Sequence, residues 1–487
     1  MTAPTFTGSP VTPELANRHS DPAAILAAAH STFTPWLGDD YDTDALDAVL
    51  ATAACEKLTG DPVWLLLLSG SGNAKTETVQ SLAAVGATIV STISSTGALL
   101  SATSKRETTA GATGGLLCEM GPRGIIVIKD VTSIPSMNAN TRGEVLAALR
   151  EIYDGSWTRH VGTDGGRALS WAGRLVTIGA VTTAWDRAHD VISSMGDRFV
   201  IVRMDSYIGR QNAGRQAIGN TGREVAMRDE LGAVVAEVLE HVGRLPAIDL
   251  TAEETDRLLA AADVVTLART GVDFDYQGNV IDSHAPEMPA RFAKQLAQIV
   301  RGAVAIGIDR AAAVELAIRC APDSMPPMRL AILDDVAEHP DSATKEVRKR
   351  LGTPRTTVDR QLQALTQLGV LDVDEQKNTY SGRASTVWRY RVGEGIDPGA
   401  LALKKCPEML RGPQPLVRVL IHLAPLVTSL DTLTRRANLP PLCRAGHAAN
   451  RCTGSRLRQA SARRAPSRWP HDRREWAQKA SNSHSIV

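Results

Sequence analysis

No apolar run in this chain approaches the roughly 18 residues that a membrane-spanning helix needs, so no span is expected and no membrane partner. The N-terminus, MTAPTFTGSPVTPE, lacks the basic start and apolar stretch of an export signal. Cysteine is scarce: six in 487 residues, at 55, 118, 320, 406, 443 and 452, without a repeating spacing. That argues against a disulfide framework and for reduced thiols in the cytoplasm. The stretch CRAGHAANRC (Cys443, His447, Cys452) lacks the closely spaced pair and the fourth ligand of a zinc site. An excess of one charge is missing too. The net charge is +1, which excludes a globally basic nucleic-acid binder. Residues 400–487 hold 16 Lys and Arg against 4 Asp and Glu, so the rest of the chain is acidic. Any DNA contact before the tail must come from a local patch.

What is present is a chain too long for one ordinary core, with 43% hydrophobic and 22% charged residues, as in globular proteins. Residues 1–20 are rich in Pro, Thr and Ser and read as disordered. From about 22 to 58 the pattern is helical. Short apolar runs follow at Val63–Leu68, Ala87–Ile93, Gly124–Ile128, Leu175–Val181 and Phe199–Met204, separated by helical or polar segments. Such alternation predicts an α/β fold with a parallel sheet covered on both faces. The glycine-rich interval Asp154–Gly173 reads as a hairpin or insert. Residues 208–320 lose the strand signal and read as helices.

The stretch VWLLLLSGSGNAKTETV places an apolar strand before a glycine-containing loop and a helix start. A P-loop follows G-x-x-x-x-G-K-[ST]: backbone N–H groups cradle phosphates, the lysine reaches the β/γ-phosphates and the hydroxyl ligates Mg²⁺. Lys75 and Thr76 fit, and Gly70, Ser71, Gly72 and Asn73 form the loop. Ser69 and Ala74 stand where the pattern wants glycine; at 74 the change adds one methyl. The plainer alternative is a core strand followed by a turn. Lys75 is expected to be exposed until a phosphate arrives.

Ala-Lys-Thr in place of Gly-Lys-Thr resembles one branch of the AAA+ ATPases, the MCM helicases and magnesium-chelatase-like proteins, although Ser69 departs from that branch as well. The resemblance covers roughly Asp44 to Ile308. It implies ATP and Mg²⁺ as ligands, Asp130 of GIIVIKD as the Walker B acid, and Thr182 (or Thr183) of RLVTIGAVTT as a polar sensor. It also implies Arg198 of MGDRFVIVRM as an arginine finger acting on a neighbouring subunit, hence a homo-oligomer, and Arg291 of MPARFAKQL as a second-sensor arginine of a helical lid. Each has a plainer reading: a capping carboxylate, turn hydroxyls, a surface ion pair, a solvated helix-start charge. The segment Ile128-Lys129-Asp130-Val131 has one acid where most such strands end in Asp-Glu, so ATP binding is better supported than hydrolysis.

The stretch SATKEVRKRLGTPRTTVDRQLQALTQLGVLDVDE reads as helix–turn–helix. Gly352 stops the first helix, Thr353 is a natural N-cap and Pro354 a favoured first residue, and Gly369 ends the second helix. Two strands follow. The order resembles the winged helix of ArsR/MarR-like regulators and implies a double-stranded DNA partner. Arg355, Thr356, Thr357, Arg360 and Gln363 face outward as base or phosphate candidates, with Lys377 and Arg383 on the wing. A winged helix used for protein contacts is the alternative.

The expected organisation is therefore a disordered start (1–20), a P-loop αβα domain (21–207), a helical lid (208–325), a winged helix (326–393) and a basic low-complexity tail (394–487). Its order resembles minimal MCM layouts and certain phage or mobile-element ATPases. The expected function is a DNA-associated ATPase, helicase- or loader-like. The rival is a winged-helix transcription regulator whose nucleotide domain serves as sensor or oligomerisation switch.

Overall fold

The computed structural model describes residues 21–103, 112–187, 198–243, 248–380 and 383–403. The expected disorder of 1–20 and nearly all of the basic tail lie outside these residues. Helices α1 (Pro22–Leu37) and α2 (Thr43–Ala54) begin at carboxylate caps: Asp21 accepts from Ala23 N–H and Asp42 from Ala45 N–H. Five strands form one parallel sheet: β1 (Trp64–Ser69), β2 (Thr88–Val90), β3 (Arg123–Ile128), β6 (Arg174–Thr182) and β7 (Val200–Arg203). They lie in the order β2-β3-β6-β1-β7. Each expected strand is found. The expected insert is an antiparallel hairpin, β4 (Ser156–Val161) with β5 (Arg167–Ala172), ahead of β6.

The unbroken apolar run of β1 follows from its position, because a central parallel strand is buried on both faces. Leu65 and Leu67 join one core while Trp64, Leu66 and Leu68 join the other. The second core is closed by α4 (Ala139–Tyr153) through Val145, Leu149 and Ile152. The first is covered by α2 and by helices from the second half of the chain: α6 (Glu224–Glu240), α7 (Ala252–Ala268), α8 (Ala290–Ala305) and α9 (Arg310–Asp323). A further helix, α5 (Arg210–Gly219), precedes them and buries no residue.

Residues 208–325 are helical as expected, apart from a small antiparallel hairpin, β8 (Val272–Phe274) with β9 (Val280–Ser283). Three- and four-residue strands beside a polar turn carry too little alternation to be seen in sequence. After α9 come α10 (Pro327–Glu338), the short β10 (Ser342–Ala343), α11 (Thr344–Leu351) and α12 (Arg355–Gln367). The long hairpin β11 (Leu371–Tyr380) and β12 (Arg383–Val392) follows, giving a sheet in the order β10-β12-β11. One buried cluster runs without interruption from Ile25 to Leu401. The segments on either side of residues 208 and 326 both contribute residues to this cluster. Among the described residues no helix is long and apolar enough to cross a membrane.

Candidate functional site

The carboxyl ends of β1 and β6 lie side by side, with Ser69 opposite Thr182. The chain leaves β1 into α3 (Lys75–Gln80), whose Val79 joins the first core. It leaves β6 into a turn whose Trp185 joins the second. Adjacent parallel strands whose connections depart to opposite faces open a crevice at their carboxyl ends, the usual ligand position in open α/β sheets. The loop 70–74 sits there.

Two loop residues hold left-handed backbone: Gly72 (φ 77°) and Ala74 (φ 54°, ψ −4°). The glycine preference before the lysine therefore concerns backbone conformation, and Ala74 adopts the required angle at a cost, beyond adding a methyl. Ser69 needs no such freedom, because it is an extended, buried residue that ends β1. The Ala74 carbonyl starts the helix, accepting from Thr78 N–H at 3.0 Å and Thr78 Oγ1 at 3.1 Å.

Lys75 departs from expectation. It is buried, and its Nζ donates to the Gly70 carbonyl at 2.7 Å. The ammonium is thus held by the loop's own backbone. Burial lowers its pKa, against the pull of the Asp130 carboxylate. Thr76 is exposed one residue further on.

Asp130 is exposed two residues beyond β3. Its Oδ1 accepts from Thr132 N–H at 2.9 Å, capping the turn Val131–Ser133, so the capping role is present. Thr132 links that turn to the end of β6: Thr182 N–H donates to Thr132 Oγ1 at 3.4 Å, and the Thr182 hydroxyl accepts from Ala184 N–H at the same distance. The residue after Asp130 is the fully buried Val131. The loop, Lys75, Asp130 and Thr182 are thus brought to one edge of the sheet.

Arg198 and Arg291 are not brought there. Arg198 precedes β7, whose Val200 pairs with Leu65 near the start of β1, at the amino edge. That is about 17 Å, the rise of a six-residue strand, from the loop. Its Nη2 lies 3.5 Å from Asp154, with the guanidinium 6.0 Å from the Tyr153 ring, and its carbonyl accepts from Gln295 of α8 at 2.7 Å. Arg291 pairs with Glu287 at 3.2 Å at the same edge, where Lys294 of α8 also meets Asp61. Neither arginine reaches this chain's own loop.

In the C-terminal unit, α11 stops at Gly352 and α12 at Gly369 as expected, but the cap between them differs. Pro354 is the N-cap of α12, while the Thr353 hydroxyl donates back to the Leu351 carbonyl at 3.1 Å, closing α11. Val358, Leu362 and Leu365 of α12 are buried. Arg355, Thr356, Thr357 and Arg360 are exposed, and Gln363 is half-buried against Asp359 at 3.3 Å. Arg360 also donates to the Gln277 carbonyl of the β8–β9 turn at 3.2 Å. Lys377 is exposed on β11, and Arg383 begins β12 opposite Tyr380.

Sequence reasoning missed the residues that hold the loop from β7's side. Gly70 N–H donates to Ser206 Oγ at 2.8 Å, and Asn73 Nδ2 to the Asp205 carbonyl at 2.9 Å. The Tyr41 hydroxyl meets Thr78 Oγ1 at 2.8 Å. These contacts span 37 to 136 residues of sequence, and no local pattern announces them.

No family model matches the chain, and no curated protein matches it significantly. Among solved structures, one described as the A form apo structure of the NrS-1 C-terminal region (CTR) aligns at 9% identity and a TM-score of 0.22. The alignment covers 75% of this chain and 76% of that one. A similarity of this size carries no argument about fold or function.

Proposed function

We propose that this chain is an ATP-binding, AAA+-like P-loop protein that works on DNA, helicase- or loader-like, as a homo-oligomer. The observation that carries the reading is the loop 70–74. Left-handed Gly72 and Ala74 connect a doubly buried strand to a helix headed by Lys75, at the edge that also presents Asp130 and Thr182. On this reading Gly70, Ser71, Gly72, Asn73 and Ala74 surround the phosphates, and Lys75 exchanges the Gly70 carbonyl for a phosphate oxygen. Thr76 and Asp130 would hold Mg²⁺. One hydroxyl and one carboxylate, both exposed, suit an ion that keeps several waters and shares phosphate oxygens. The ion's contribution is to neutralise phosphate charge. Thr182 orients the same edge through Thr132, and Arg198 serves a neighbouring subunit after release from Asp154.

Residues 326–393 act in this reading as a winged helix, with α12 entering the major groove and β11–β12 touching the backbone. The exposed Arg355, Thr356 and Thr357 at the start of α12 support it.

One feature favours the rival regulator reading: buried Val131 stands where a water-orienting glutamate is usual. In that reading the loop binds ATP as a switch and turns it over slowly. ATPase rate with and without duplex DNA, alongside strand displacement, separates the two. DNA-stimulated hydrolysis with displacement supports the motor; sequence-specific binding without either supports the regulator.

A further inference from the structure

We propose that the β8–β9 hairpin is an acidic brake on the DNA-binding face of α12, competing with backbone phosphate for Arg360. The proposal rests on the DNA-binding reading of residues 326–393. The segment Val272–His284 carries Asp273, Asp275 and Asp282 and contains neither Lys nor Arg. Its turn is seated on α12: Arg360 Nη2 donates to the Gln277 carbonyl, and a Cβ at Gly278 (φ +87°) would lie 2.0 Å from the guanidinium. A side chain at Gly278 would have to push the flexible Arg360 guanidinium aside and adopt a positive φ that disfavours other residues. Asp275 sets the turn's shape, its Oδ1 accepting from Gln277 N–H and Asn279 N–H and its Oδ2 from Asn279 Nδ2, all within 2.9 Å.

The hairpin's root is fixed. Arg329 of α10, 1% exposed, donates to the Ala268 and Thr270 carbonyls just before β8 and to Gln361 of α12. One buried side chain thereby ties the base of the hairpin to the helix that the hairpin covers.

Asp273 and Asp282 are direct cross-strand partners, and both are exposed. Like charges placed opposite each other weaken a two-stranded ladder. The pair works against the hairpin's own stability, an effect the His284 Nε2 contact with Asp273 Oδ1 at 3.5 Å offsets in part, while adding negative potential beside the helix expected to meet phosphates. A phosphate approaching Arg360 must replace the Gln277 carbonyl against the field of these carboxylates. Arg355, Thr356 and Thr357 lie earlier on α12, so the brake lowers affinity without closing the whole face.

The test is duplex-DNA binding by fluorescence anisotropy on the full chain, comparing wild type with Asp273→Asn/Asp282→Asn. Removing like-charge repulsion leaves the fold intact or firmer, which a thermal melt checks. The variant should bind roughly fivefold tighter at low salt, with the gain shrinking as salt screens the charges. A control that neutralises two acids elsewhere, Glu237→Gln/Asp256→Asn, should change little. An equal gain from the control would make the effect one of overall charge and overturn the brake. Wild-type affinity in the hairpin variant, with Arg355→Ala still weakening both backgrounds, would overturn the brake and leave the DNA reading standing. Absence of DNA binding by every protein would overturn the DNA reading and the brake with it.

Discussion

Ala74 is one of two non-glycine residues with positive φ among those described, and it occupies the loop position where glycine is usual. Its replacement by glycine tests the loop's geometry without touching a ligand group. The left-handed conformation costs an L-residue about 1–2 kcal/mol. Glycine's extra freedom in the unfolded chain takes back about 0.4–1 kcal/mol. The balance is a stabilisation of about 0.5–1 kcal/mol for Ala74→Gly. With a urea slope near 3 kcal/mol/M, the unfolding midpoint should rise by roughly 0.2–0.3 M. Because the same backbone angles are kept, affinity for Mg-ATP should stay within about threefold, less than the tenfold that corresponds to 1.4 kcal/mol. Ala74→Val should lose stability, since a β-branched residue is poorly tolerated at positive φ. The assay is urea denaturation followed by tryptophan fluorescence. A midpoint that falls on Ala74→Gly, or rises on Ala74→Val, would refute the left-handed loop and with it the explanation of why glycine is usual there.

Three further outcomes are expected. The double change Arg355→Ala/Arg360→Ala should weaken duplex binding at least about tenfold and lower the salt slope by about one per lost phosphate contact, with basal ATP turnover unchanged. ATP should promote self-association in light scattering, and Arg198→Ala should impair hydrolysis more than ATP binding; full hydrolysis by a monomer of that variant would remove the finger role. The third concerns pH. Burial works to lower the His30 pKa, but the Asp47 carboxylate at 2.6 Å outweighs it and Asp44 adds to the rise, while burial raises Asp47 itself. A pKa raised on folding contributes stability that is complete below the unfolded value and lost as pH climbs through the folded one. For His30 that loss falls above 6.5, so the melting temperature should drop as the pH rises past 6.5, with a shallower slope in His30→Asn.

The sheet was legible because its central strands are buried on both faces, which forces continuous apolar runs such as Trp-Leu-Leu-Leu-Leu. Strand order was not, because it depends on pairings between residues far apart, such as Leu65 with Ile178 and Val200. The loop was legible from Gly70, Gly72, Lys75 and Thr76, since each type has a local backbone or chemical reason. The state of Lys75 was not: its burial depends on the Gly70 carbonyl and on contacts from β7's far end. Arg198 and Arg291 matched by order along the chain, which says nothing of where a strand's start lies relative to its end. The ends of α11 and α12 were readable to within a residue from Gly352 and Gly369, whereas the hairpin seated on Arg360 comes from a segment 83 residues earlier and left no local trace.

The central claim is that residues 70–76 bind ATP, and calorimetric titration of Mg-ATP into wild type and Lys75→Ala tests it most directly. In the variant the Gly70 carbonyl loses one charge-assisted hydrogen bond, worth about 1.5–3 kcal/mol against a typical total stability of about 5–15 kcal/mol, so the protein should still fold. The account predicts saturable binding at one site per chain in the wild type and its loss in a folded Lys75→Ala variant. Unchanged Mg-ATP affinity in that variant, or no binding by the wild type, would contradict it.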